Sequence, residues 1–509
     1  MRNRLRCIVI AMAVLALMMV RELLAQPAAG GPDPYKTPSE LVLKQLIDSV
    51  NSQDMARIRT FVKNDFATDH TSEDSWPTRC CKADEVTRTL VNVGRRSGGL
   101  LLESAYPKGR AITAFLKTKS GNRRIYLQLQ CGRSDPCRIT NYQMVPLSPD
   151  PDEFLQAVQA GEGISSKAAA IDRALGDAAA RQLFSGTVLI ARNGKVLLRG
   201  AYGEADRDRH IANSIDTPFD LASTGKLFTG IAVAQLVSEG KLSYDEPIEK
   251  YLPDYPNRNA ASEITLRELL THTSGLADIF SKLRPKTPLR RLSDYYPLFA
   301  NEPLLFEPGK GQSYSNTGFL VASMVVEAVS GEEFRLYLQR HIFDVAGMHS
   351  TGWRRPQDAA RPYTRDNADD PLKPDARWIS AESFYDQLLG GPAAGPGGEY
   401  STVADLFRFA TALQSGKLLP RKNFETVLRD GLGCECDARP GHEIYSHTGG
   451  GPGVDTGLKL DMNTDTVSIF LSNFSPPFPQ MFMGKASDLM TGPFSQDRGG
   501  TVSSSGRRS

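Results

Sequence analysis

Ser223 and Lys226 stand three apart in "LASTGKLFTG", at the mouth of the apolar run "IAVAQLV". On a helix, residues three apart share a face one turn apart. The hydroxyl and the amine can therefore meet, which is the arrangement of a serine made nucleophilic by a basic neighbour. The chemistry sets a condition. An ordinary lysine, with a pKa of about 10.4, is protonated at neutral pH and takes no proton. Bringing it to about 7 destabilises the ammonium by roughly 4 kcal/mol. The positive end of a helix dipole contributes about 0.3 to 2 kcal/mol of that, and desolvation must supply the rest. The apolar setting of "LFTGIAVA" is what such burial requires. Taken alone, the pair also reads as a plain helix start, with Ser223 as N-cap and an exposed lysine.

Two companion segments favour the catalytic reading. "EPGKGQSYSNTGFL" carries Tyr314 and Asn316 in a turn-rich loop ahead of an apolar helix. Positions i and i+2 of an extended chain point the same way, so both side chains can enter one cleft. A tyrosine beside a lysine can act as general acid or base, partly as phenolate. "YSHTGGGPG" carries His447, Thr448 and Gly449 on an expected strand, whose glycines let a substrate lie against its edge. The backbone N–H groups of Ser223 and Gly450 are candidates for an oxyanion hole.

Together, S-x-x-K, Y-x-N and H-T-G in this order resemble the serine β-lactamase and penicillin-binding-protein superfamily. The tyrosine in the second motif is similar to the class C β-lactamase and esterase side. "LRELLTHTSGL" and "PAAGPGGEYSTVADLFRFATAL" extend the likeness over about residues 170–490. The resemblance implies an acyl-serine mechanism with Ser223 as nucleophile and Lys226 and Tyr314 as the proton-moving pair. Asn316, His447, Thr448 and Gly449 would bind substrate, and no metal or cofactor is called for. It also implies an antiparallel sheet flanked by helices beside an all-helical lobe, with the site between them. One position departs from the pattern. Many β-lactam-handling members carry lysine where His447 stands, as a fixed charge near the substrate carboxylate. A histidine of pKa about 6.5 is mostly neutral at pH 7.5, and members with histidine there include esterases and peptidases of D-amino-acid substrates. The expected activity is hydrolysis of an amide or ester in a small-molecule or peptide substrate. A D,D-peptidase or penicillin-binding protein acting on cell-wall peptides is the alternative, and a non-catalytic binding or sensor protein is a second.

The elements that must position these residues follow from patterning. A helix is expected from about Ser223 to Glu239, stopped by Gly240. "SGTVLIARNGKVLLRGAYG" reads as two strands joined by Asn193-Gly194, a strong hairpin signal. "HEIYSHTGGG", "VDTGLKLDM" and "DTVSIFLSN" are three more strand candidates. The expected architecture is therefore α+β, with a sheet assembled from both ends of a domain over residues 169–491. Upstream, "SELVLKQLIDSVNSQDMARIRTFV" has apolar residues at helical spacing (Leu41, Leu43, Leu46, Ile47, Val50). "GRAITAFLKTK", "RRIYLQLQC" and "RITNYQMVPL" then read as strands. Residues 33–150 make a small α+β unit that looks, by pattern only, like the cone-shaped NTF2-like domains. "LSPDPDEF" reads as the entry to a linker bounded at 151–168, and residues 492–509 as a disordered tail.

The 509 residues, 40% hydrophobic and 23% charged, suit a soluble globular chain of two or more domains. A net charge of +2 without a basic stripe argues against nucleic acid as a partner. Arg2, Arg4 and Arg6 before "CIVIAMAVLALMMV" read as a signal peptide over residues 1–25, so the chain is expected to be exported, to a periplasmic or extracellular location. If that segment stayed uncleaved it would be a short membrane anchor. Oligomeric state is not legible. Six cysteines follow it: Cys80, Cys81, Cys131, Cys137, Cys434 and Cys436. An even number in an exported chain suggests disulfides, with Cys131–Cys137 the favoured pair and metal binding by Cys434 and Cys436 the weaker reading. His442, Glu443 and His447 do not make a zinc-protease motif, because Ser446 occupies the position that a second histidine needs. His272 and Ser274 in "THTSGL" read as a tight loop.

Overall fold

The computed structural model describes residues 37–491, apart from 67–82, 109–110, 122, 132–137, 147–150, 160–162, 280–288, 290, 367–375, 384–394 and 439–442. The signal peptide, the tail, Cys80, Cys81, Cys137 and His442 all lie outside the described residues.

The upstream unit opens with α1 (Pro38–Ser52), capped by Thr37 in a reciprocal box with Glu40. Asp54 caps α2 (Met55–Asp65), so the single helical stretch suggested by periodicity is broken at Gln53, whose φ is +52°. Leu41 is exposed, and the buried stripe is Val42, Leu43, Leu46, Ile47 and Val50. After α3 (Ala83–Ser97) come β1 (Leu100–Lys108), β2 (Ala111–Thr118), β3 (Arg124–Cys131) and β4 (Ile139–Pro146) in a four-stranded antiparallel meander. The first strand escapes sequence reading because "LLLESAYPK" neither alternates cleanly nor lacks proline. Cys131 is disulfide-bonded.

The linker expected within 151–168 is instead largely helix: α4 (Pro151–Gln159) and the start of α5 (Ile164–Ala180). Pro151 sits where proline is tolerated, in the first helical turn. Leu155 and Val158, three apart, are buried in one cluster with Ile171, Leu175, Phe482 and Met483. That burial overrides the turn-like composition of "SPDPDE".

A five-stranded antiparallel sheet carries the rest. β5 (Gly186–Arg192) and β6 (Lys195–Tyr202) are joined by Asn193 and Gly194, both at positive φ as a tight hairpin requires. β7 (Ile444–Gly451), β8 (Val454–Asp461) and β9 (Thr466–Ser472) come from the far end of the chain, and the strand order is β7-β8-β9-β5-β6. Alternation assigns the two faces. Val188, Ile190 and Phe470 pack with α4, α5 and α9 (Phe478–Thr491), whereas Leu189, Ala191, Ile469 and Leu471 join the larger core of the helical lobe. That lobe contains α6 (Lys226–Ser238), α7 (Asn316–Ser330) and α8 (Val403–Gln414), all placed in sequence between β6 and β7. A sheet built from both ends with a helical insert is the architecture that the patterning implied.

Candidate active site

The expected helix begins three residues later than its pattern suggests. Ala222–Gly225 form one turn of 3₁₀-helix, and the α-helix proper starts at Lys226. In a 3₁₀ turn side chains at i and i+3 eclipse. Ser223 and Lys226 therefore stand one above the other, with Nζ 2.9 Å from Oγ. Ala222, just before the serine, is held at φ +43°, a region that β-carbon-bearing residues seldom adopt. Its amide donates to Asp220 Oδ1, 2.7 Å away.

Two ties fix this turn against the sheet. Thr456 Oγ1 on β8 donates to Leu221 O (2.8 Å) and lies 3.0 Å from Thr224 Oγ1. Gly449 on β7 faces the same turn so closely that a β-carbon there would run into the Leu221 carbonyl and the Thr224 amide. The sequence suggested that glycines here make room for substrate; at Gly449 the room is taken by the protein's own backbone.

α7 delivers the other two members of the set. Ser315 is its N-cap, its hydroxyl accepting from the Gly318 amide, and Tyr314 and Asn316 flank that cap. The Tyr314 hydroxyl lies 2.7 Å from Ser223 Oγ, and Asn316 Oδ1 accepts from Lys226 Nζ at 2.7 Å. Lys226 Nζ also donates to Pro396 O at 2.8 Å. Ser223, Lys226, Tyr314 and Asn316 are thus one hydrogen-bonded cluster.

The protonation states follow from burial. Lys226 has no exposed surface, and desolvation lowers its pKa to about 7 against the opposing pull of Asp278, Glu399 and Glu435. Two carbonyl-type acceptors, Asn316 Oδ1 and Pro396 O, take the two N–H bonds of a neutral amine. Its lone pair then has Ser223 Oγ as its remaining partner. Burial pushes the Tyr314 phenol well above its ordinary range, only partly opposed by the Ser223 contact. The phenolate entertained from sequence is therefore disfavoured: Tyr314 keeps its proton and donates it to Ser223.

His447 is buried on β7, and desolvation together with the Lys226 charge drives its pKa well below the usual range. It is neutral near pH 7, with Nδ1–H donating to Thr448 O at 2.7 Å. Gly450 follows on the same strand, which packs against the Ala222–Gly225 turn.

Three site residues escaped sequence reasoning. Asp278 Oδ2 accepts from both the amide N–H (2.8 Å) and Nδ2 (2.9 Å) of Asn316. His272, set aside as part of a tight loop, is at φ +59°; its Nδ1 accepts from the Ser315 amide and its ring lies 4.5 Å from that of Tyr314. Glu435 reaches Thr448 from between Cys434 and Cys436, which are joined in a disulfide rather than free for metal. Only "THTSGL" carried a visible signal, and it was the compactness of a loop rather than a chemical pattern.

Comparison with known proteins gives the same region. The Beta-lactamase family model matches residues 169–487. Penicillin-binding protein 4* of Bacillus subtilis (strain 168) is 29% identical over 315 residues, covering 57% of this chain and 68% of that protein. Esterase EstB of Burkholderia gladioli is 30% identical over 325 residues, covering 58% of this chain and 81% of that one. The solved structure of a penicillin binding protein from Bacillus halodurans is 30% identical with a TM-score of 0.51, covering 60% of this chain and 96% of that one.

Proposed function

The chain belongs to the beta-lactamase family, and on that ground we propose that it is an exported serine hydrolase cleaving ester or amide bonds through an acyl-Ser223 intermediate. One observation carries the reading: Ser223 Oγ is 2.9 Å from the Lys226 amine and 2.7 Å from the Tyr314 hydroxyl. The neutral amine takes the serine proton as Oγ attacks the substrate carbonyl carbon. The N–H groups of Ser223 and Gly450 hold the resulting oxyanion. Collapse breaks the bond to the leaving group, which takes a proton from Tyr314, and the phenol is reprotonated from Lys226. Water then repeats the sequence on the acyl carbon and releases the acid. Export is supported by the arginine-led apolar N-terminus and by the Cys434–Cys436 bridge, which belongs to an oxidising compartment.

Esterase chemistry is favoured over β-lactam recognition by the neutral state of His447, since no fixed charge stands at that position for a substrate carboxylate. Incubation with a fluorophosphonate should add one adduct, mapped to Ser223, whereas a penicillin should leave the mass unchanged. Labelling by both would return the reading to penicillin recognition, and labelling by neither would remove the acyl-serine mechanism.

A further inference from the structure

Glu435 lies in a pinched segment. Its neighbours Cys434 and Cys436 are bridged, with Cα atoms 5.2 Å apart, where two residues of extended strand span about 6.6 Å. The segment is laid along β7: the Glu435 amide donates to Ser446 O (2.7 Å), Ser446 Oγ donates back to Glu435 O (2.6 Å), and Asp437 exchanges two backbone bonds with Ile444. This added pairing covers β7 up to Ser446 and ends where His447 begins the site. The carboxyl group is turned onto Thr448, whose hydroxyl donates to Oε1 and Oε2 at 3.2 and 3.3 Å. Oε1 is 4.0 Å from His447 Nδ1, and 21% of the Glu435 side chain remains accessible. Its carboxyl thus lies against the β7 residues His447 and Thr448, near enough for its charge to act on Lys226 and Tyr314.

The hydrogens of this wall are already committed. Thr448 gives its proton to Glu435, and His447 gives Nδ1–H to Thr448 O, which leaves Nε2 as an acceptor. A substrate carboxylate would meet the Nε2 acceptor and, wherever Glu435 is ionised, a like charge. An ammonium would meet complementary partners, and would hold Glu435 ionised where burial otherwise raises its pKa to about 8.

We propose that Glu435, aimed by the Cys434–Cys436 bridge and oriented by Thr448, is a specificity subsite for a primary ammonium group carried beside the scissile carbonyl, so that esters or amides of free amino acids are the favoured substrates. The subsite rests on the acyl-Ser223 reading and adds a substrate class to it. The test uses methyl esters of D-alanine, L-alanine and β-alanine, each as the free ammonium form, the N-acetyl form and the N-succinyl form, with hydrolysis followed by proton release. The wild-type protein should favour the ammonium form of at least one ester over its succinyl form by about tenfold or more in kcat/KM, the scale of a hydrogen bond to a charged group. That ratio should fall by about tenfold in Glu435→Gln and should also fall in the double variant Cys434→Ser/Cys436→Ser. Preference for the succinyl esters in the wild type, or a ratio unchanged in a folded Glu435→Gln protein, overturns the subsite. If Glu435→Gln does not fold, the wild-type series decides alone. Fluorophosphonate labelling separates the two levels: labelled protein without ammonium preference loses only the subsite, and unlabelled protein loses the acyl-serine reading with it.

Discussion

Asp278 Oδ2 takes both the backbone and the side-chain N–H of Asn316, at 2.8 and 2.9 Å, and thereby turns the amide oxygen toward Lys226. A carboxylate accepts only, so the Asn316 amide cannot flip without losing both this bond and the one to the lysine. Asp278 also favours the charged form of Lys226 from a distance. Asp278→Asn should lower kcat/KM by about tenfold or more, the cost of a lost charged hydrogen bond. It should also move the acid limb of the pH–rate profile to lower pH, because the ammonium loses a stabilising charge. A merely structural role would leave that limb in place.

Tyr314→Phe removes the donor that faces Ser223 Oγ while keeping the ring against His272. Loss of a general acid costs about 10²- to 10⁴-fold in rate. The expected result is a fall of that order in kcat for an ester substrate, with the melting temperature little changed. Near-full activity in the variant would place proton delivery on another group.

Gly449→Ala puts a methyl group into the Leu221 carbonyl and the Thr224 amide. Overpacking of this kind typically costs about 1 to 3 kcal/mol. Since the displaced backbone is the turn that holds Ser223, calorimetry should show a lower melting temperature together with reduced turnover. A variant with unchanged stability and unchanged rate would mean that β7 and the turn can part freely.

Much of this site was written in short-range patterns. The Ser223–Lys226 spacing and the Tyr314–Asn316 alternation are each set by one turn or one pleat, and their side chains meet in one hydrogen-bonded cluster. The glycines after His447 signal a close approach, but at Gly449 what approaches is the Leu221–Thr224 backbone rather than substrate. The hairpin at Asn193-Gly194 was legible for the same reason, because two residues needing positive φ leave few choices. What stayed hidden depends on long-range packing. Asp278 meets Asn316 across 38 positions of chain, and nothing local marks it. α4 reads as a linker in sequence because Pro151 and Asp152 signal a turn, and only the buried partners of Leu155 and Val158 make it a helix. Of the two roles open to Tyr314, acid or base, sequence cannot choose: the nearby lysine is visible there, whereas the desolvation that favours the protonated phenol is a property of the folded cleft.

The central claim is that Lys226 is a neutral base at working pH, and the rate at which a fluorophosphonate inactivates the protein tests it most directly. The serine is activated only when the amine is unprotonated, so the second-order rate constant should rise with pH, with a midpoint at about 7, and level off above it. Lys226→Arg, which cannot deprotonate, should abolish the rise and most of the reaction. A wild-type profile that is flat from pH 5.5 to 8.5, or one that rises only near the ordinary lysine value of about 10.4, would contradict the account.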